Sequence, residues 1–121
     1  MNTSRRVLLV DDEAQIRSNF VAYCEDYDEF VTLVAASAEE GLDILARDGV
    51  DLCIVDMRLP GMNGGAFIRA AAGLCRHFLI HTGSIDTELT FELEALGMNS
   101  KDVLIKPCGM PQMLERIRHH L

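Results

Sequence analysis

Two kinds of apolar spacing alternate along these 121 residues. Short unbroken runs occur at 7–10 (Val-Leu-Leu-Val), 52–55 (Leu-Cys-Ile-Val), 78–81 (Phe-Leu-Ile-His) and 103–105 (Val-Leu-Ile). They lack the polar alternation of a strand with one wet face and suit strands covered on both faces. A further strand is predicted over 30–35, with Val31, Leu33 and Val34 as its apolar part. Between the runs, apolar residues recur every three or four positions, as on a helix with one buried face. This spacing predicts helices over 14–26 (Ile16, Phe20, Cys24), 38–47 (Ala38, Leu42, Leu45), 63–74 (Phe67, Ile68, Ala71), 86–96 (Leu89, Leu93, Leu96) and from about 111 onward (Leu114, Ile117, Leu121). On the fourth helix Glu88, Glu92 and Glu94 point away from the leucine stripe.

The punctuation agrees. Ser37 followed by Glu40 is a capping box, Asp48-Gly49 stops the second helix, and Pro111 suits a first helical turn. Leu59-Pro60-Gly61 breaks the chain after the run that ends at Asp56. Five strands alternating with five helices over short links leave room only for crossover connections, so the sheet should be parallel. Strand two delivers only Ala35, Ala36 and Ser37 at its carboxyl end; with that strand at the edge, the order becomes 2-1-3-4-5, a flavodoxin-like, doubly wound α/β fold. No repeat, low-complexity run or linker interrupts the chain, and residues 1–121 read as one domain.

Composition narrows the function. About half the residues are apolar, enough for a real core, and the net charge is -8. That charge argues against direct binding to nucleic acid and against an anionic membrane surface. No apolar stretch is long enough to span a bilayer. Arg5-Arg6 precedes an apolar run too short for a secretion signal, ended by Asp11-Asp12-Glu13. Cys24, Cys53, Cys75 and Cys108 show neither zinc spacing nor a CxxC pair, and read as reduced thiols of a cytoplasmic protein.

Charged and polar groups collect at the carboxyl ends of the strands, where open parallel sheets place their chemistry. Strand one delivers Asp11 and Asp12, strand three Asp56, strand four Thr82, strand five Lys106. Three close carboxylates repel unless a cation or the Lys106 ammonium offsets them. Magnesium suits such an all-oxygen site, and a carboxylate held there can attack phosphorus. Each residue alone has a plainer reading. Asp11 and Asp12 could favour a helix start, Thr82 could sit in a turn, and Lys106 could be a surface lysine. His81 reads as a strand histidine in packing, because no second histidine is placed to join it. His77 and His119-His120 read as surface groups, Cys108 as unremarkable, and Met57, Met62, Met110 and Met113 as packing residues.

Taken together, Asp11-Asp12, Asp56 followed by Met57-Arg58-Leu59-Pro60-Gly61-Met62-Asn63-Gly64, Thr82-Gly83-Ser84 and Lys106-Pro107 resemble the receiver domain of bacterial two-component response regulators. The resemblance covers nearly the whole chain. It implies that Asp56 accepts a phosphoryl group from a sensor histidine kinase or a histidine phosphotransfer protein. It also implies that Asp11, Asp12, Asp56 and the backbone carbonyl of Met57 hold Mg2+ (or Mn2+), with Asp11 acting mostly through water. Lys106 would contact the phosphoryl oxygens and Thr82 would move toward them. The Lys106-Pro107 bond would often be cis, and Arg58 and Ser84 would tune the phosphoryl lifetime. The switching face toward an output domain or protein would be the fourth helix, fifth strand and fifth helix. On this reading the domain catalyses only its own phosphorylation and dephosphorylation. One position departs from the family: Val103 stands where a Tyr or Phe usually swings behind the threonine, and valine lacks that reach. Three alternatives are weaker. A haloacid-dehalogenase-type phosphatase needs a second aspartate where Arg58 stands. A flavin carrier needs a phosphate loop where Asp11-Asp12-Glu13 stands. A pseudo-receiver keeps the fold without phosphorylation.

Overall fold

The computed structural model describes residues 5–27, 29–83 and 85–121. The four unbroken apolar runs and the strand predicted over 30–35 form one parallel sheet of five strands: β1 (Arg5–Val10), β2 (Phe30–Ala35), β3 (Val50–Asp56), β4 (Cys75–Thr82) and β5 (Val103–Ile105), in the order β2-β1-β3-β4-β5. The connections hold α1 (Ala14–Glu25), α2 (Ala38–Asp48), α3 (Gly64–Ala71), α4 (Thr87–Ala95) and α5 (Met110–His120). This is the flavodoxin-like doubly wound architecture the spacing predicts.

The runs are unbroken because both faces of the sheet are covered. Leu8, Val10, Cys53, Val55 and Ile80 face α2, α3 and α4, packing with Leu45, Phe67 and Leu89. Val7, Leu9, Leu52, Ile54 and Leu79 face α1 and α5, packing with Phe20, Leu114 and Ile117. All ten strand side chains are fully buried, each worth about 1.5–3 kcal/mol relative to exposure. The caps also follow the sequence. The Ser37 hydroxyl accepts from the Glu40 amide at 3.2 Å, and Glu40 reaches back to the Ala36 amide at 2.7 Å. Asp86 caps α4 by accepting from the Leu89 amide at 2.8 Å.

Several elements differ from the expectation. α3 ends at Ala71 rather than near residue 74, and Leu74 is exposed. Gly73, at φ 92°, turns the chain straight into β4, whose pairing with β3 begins at Cys75 opposite Val50. β4 is therefore eight residues long, starting three before the predicted run. Its first half tolerates Arg76 and His77 because β5 pairs only with Ile80 to Thr82 and leaves that half with one open edge. Val31 is exposed on the edge strand β2. A 3-10 turn over Ser100–Asp102 precedes β5; the Asn99 side chain accepts from the Lys101 amide and Asp102 accepts from the Asn99 amide. Among the described residues, no helix is long and apolar enough to cross a membrane.

Candidate functional site

Strand register decides which side chains meet. Val10 pairs with Val55, Asp56 with His81, and His81 with Leu104. Because side chains alternate along a strand, Asp11, Asp56 and His81 fall in one row across the ends of β1, β3 and β4, and Lys106, two residues past Leu104, lies on the same face at the end of β5. The row crosses the switch point between β1 and β3. Thr82, one residue on from His81, belongs to the opposite face.

Asp11 is fully buried and Asp56 nearly so, while Asp12 is exposed. One carboxylate oxygen from each of the three lies within 4.8 Å of the others, a group that could hold a metal ion. Two short loops orient them. Asp11 Oδ1 accepts from the Glu13 amide at 2.9 Å and Asp56 Oδ1 from the Arg58 amide at 2.9 Å. Lys106 Nζ donates to Asp56 Oδ2 at 3.1 Å and stands 3.2 Å from Asp11 Oδ2 and 3.5 Å from Glu13 Oε2. Its contact with Asp11 is an ion pair, and Asp11 Oδ2 is buried at that contact. The Lys106 amide donates to the Thr82 carbonyl at 2.6 Å, tying β5 to β4 at the site. The Lys106-Pro107 peptide is cis.

The Met57 carbonyl accepts from the Gly64 amide at 3.0 Å, which leaves it one further lone pair. Thr82 is buried and lines a hollow of about 310 Å³ with Met57, Arg58 and Asp86. Asp12, Glu13, Asp56, Arg58, Gly83 and Lys106 bound an open crevice of about 410 Å³. Ser84 lies outside the described residues.

The electrostatics follow from burial and neighbours. Burial raises the pKa of Asp11, against the Glu13 amide and Lys106, which pull it down. Burial also lowers Lys106, but its contacts with Asp56 and Asp11 outweigh this, and its pKa rises above the ordinary lysine value. The ammonium is thus a permanent charge here. Burial pushes His81 down to about 4, helped by Lys106 and opposed by Asp56, so the ring is neutral near pH 7.

Two neighbours of the site escape a reading by type alone. Glu13 has a signal, its place in the acidic run after strand one. His81 has only its position just before Thr82. His120, read as a surface group, is in fact partly covered: its Nε2 is buried 3.9 Å from Asp102 Oδ1, and its ring centre lies 5.9 Å from that of His77 and 5.3 Å from that of His119. Cys24, Cys53 and Cys75 are buried free thiols, and burial raises the Cys108 thiol, which makes it less reactive.

A doubly wound sheet with acidic groups and a lysine gathered at its switch point defines a class of α/β domain with a polar crevice above the strand ends. Comparison with known proteins places the chain within that class. The profile of the response regulator receiver domain matches residues 7–118, and the chain belongs to that family, the receivers of two-component signalling. It is 34% identical over 112 residues to the alginate biosynthesis transcriptional regulatory protein AlgB of Pseudomonas aeruginosa, covering 89% of this chain and 24% of AlgB. It is 29% identical over 121 residues to the transcriptional regulatory protein RstA of Escherichia coli, covering 100% of this chain and 48% of RstA. The chain thus spans about half the length, or less, of these curated relatives. A solved response regulator receiver protein from Pseudomonas putida superposes with a TM-score of 0.85 at 26% identity, covering 98% of this chain and 99% of that one.

Proposed function

We propose that residues 1–121 act as one receiver domain that takes a phosphoryl group onto Asp56 from a histidine kinase or histidine phosphotransfer protein in the cytoplasm. The placement of Lys106 supports this most directly: its Nζ lies 3.1 Å from Asp56 Oδ2 inside a crevice open to a partner. A carboxylate oxygen of Asp56 forms the new O–P bond as the donor's P–N bond breaks, and the electron pair leaves with the donor imidazole. Lys106, already charged, takes up negative charge on the phosphoryl oxygens without a proton transfer. The Arg58 amide holds Asp56 Oδ1 and limits the carboxylate's rotation.

The donor set fits magnesium or manganese. It is all oxygen, and three carboxylates gather where one ammonium, Lys106, pairs with Asp11 and Asp56. Asp11, Asp12, Asp56 and the Met57 carbonyl would hold the ion. When bound, it supplies charge neutralisation for the transferring group. Thr82 would respond to the phosphoryl group from the end of β4. The output face would be α4, β5 and α5, where Phe91 and Ile105 expose large apolar side chains; Val103 is already buried there against Leu89 and Leu93. On this reading the domain catalyses only its own phosphorylation and hydrolysis, and binds neither membrane nor nucleic acid itself.

Intact-mass spectrometry after incubation with acetyl phosphate and Mg2+ tests the assignment. A base-labile gain of one phosphoryl group in the wild type, absent in Asp56→Asn, is expected. A gain that persists in Asp56→Asn would reassign the acceptor. No gain in the wild type, either from acetyl phosphate or from a phosphorylated histidine donor, would point to a pseudo-receiver.

A further inference from the structure

His81 is an expensive residue where it stands. Its same-face neighbours, Leu79 along β4 and Leu104 across on β5, are apolar and buried. His81 is equally buried, yet neither ring nitrogen has a hydrogen-bond partner. Buried polar groups in folded proteins are nearly always paired, so an unpaired one calls for an explanation. A complementary group stands close by: Nδ1 of His81 lies 4.0 Å from Asp11 Oδ2, the oxygen that also pairs with Lys106. A ring without a hydrogen-bond partner thus faces a buried carboxylate oxygen whose ion-pair partner is Lys106. The gap exceeds a hydrogen bond by about 1 Å. The ring is not packed on every side: it also edges a pocket of about 440 Å³ between α1 and α5, bounded by Phe20, Met110 and Met113.

We propose that His81 is a positioning residue for the acidic cluster, donating from its Nδ1–H to Asp11 Oδ2 and fixing that carboxylate for a divalent cation. With the Glu13 amide on Oδ1 and His81 on Oδ2, the Asp11 carboxylate is held at both oxygens, and its remaining lone pairs are set relative to Asp12 and Asp56. Ligating carboxylates are commonly oriented in this way by an outer layer of donors. The inference rests on the acidic cluster being a cation site, as proposed above.

Heteronuclear NMR of the imidazole ring and Mg2+ titration of variants test it together. The His81 ring should be the Nδ1–H tautomer and its resonances should move as Mg2+ is added. His81→Leu should keep the fold and lose about tenfold in Mg2+ affinity. His81→Asn places an amide nitrogen near the Nδ1 position and should recover most of that loss; His81→Gln, whose amide mimics Nε2, should not. An Nε2–H tautomer that ignores Mg2+, or equal Mg2+ affinity in the wild type and His81→Leu, overturns the role of His81 alone. A wild-type chain that binds no Mg2+ overturns the cation site and this inference with it. Should His81→Leu fail to fold, the tautomer of the wild-type ring still decides.

Discussion

Lys106 Nζ has three carboxylates within 3.5 Å, those of Asp11, Asp56 and Glu13. One ammonium cannot balance three acids, so the site carries surplus negative charge in the absence of a cation or a phosphoryl group's counter-ions. That imbalance, more than any single residue, marks the crevice as a place where charge is exchanged. At the opposite end of the sheet, His120 shows the same physics with reversed sign. Burial lowers its pKa first, Asp102 raises it, and His119, His77 and Arg116 lower it again, for a net depression below 6.5. The unfolded chain therefore takes up a proton at a higher pH than the folded chain does at this position. Stability from this group is fully present above about pH 6.5 and declines as pH falls toward the folded pKa. We expect urea midpoints measured from about pH 7 down to about pH 5 to fall less steeply in His120→Gln than in the wild type. Equal slopes would show that His120 titrates alike in both states.

Among the elements, α3 shows how a local weakness can be a tertiary requirement. Asn63-Gly64-Gly65 looks like a poor helix start, yet Asn63 Oδ1 caps α3 by accepting from the Ala66 amide at 2.9 Å. Gly64 sits against the loop that follows Asp56: a Cβ there would lie 2.7 Å from both Met57 Cα and Met57 Sδ, and 2.8 Å from the Asp56 carbonyl. Backbone cannot yield as a side chain can. Gly64→Ala should therefore destabilise the fold by about 1–3 kcal/mol through overpacking. At Gly65 the closest neighbour is only the carboxylate end of Glu92, which pairs with Arg69 at 2.9 Å. Gly65→Ala should cost less, since that end can rotate away and an exposed ion pair contributes little. Chemical denaturation of the two variants side by side checks the order; a larger loss at Gly65 would contradict it.

For the whole molecule, a cation bound by the folded acidic cluster and not by the unfolded chain must raise stability by mass action. At ten times its dissociation constant, Mg2+ should add about 1.4 kcal/mol. Thermal midpoints measured across an Mg2+ series should rise in the wild type. They should rise far less in a chain carrying Asp11→Ala and Asp12→Ala together. An equal rise in both would place the stabilising ion elsewhere.

What was legible in the sequence was local. Unbroken apolar runs and three-to-four spacing specify strand and helix from the geometry of each backbone alone. Breaks after 10, 55 and 105 identify the residues that strand ends deliver. Asp11, Asp12, Asp56 and Lys106 could therefore be named before any contact was known, and the structure brings them together. Other features depend on which strands are neighbours. The three-residue β5 leaves the first half of β4 open and lets a polar stretch join the sheet. The length of α3 follows from the turn needed to start β4 at Cys75. His120 lies beside His77 and Asp102 because α5 crosses the base of β4 and the turn before β5. The position of His81 beneath Asp11 depends on the register of three strands, a quantity no local pattern encodes. Sequence by itself determined the elements and the residues at their ends; only the tertiary structure decided which of those residues share a row, because strand order and register are set by packing between distant parts of the chain.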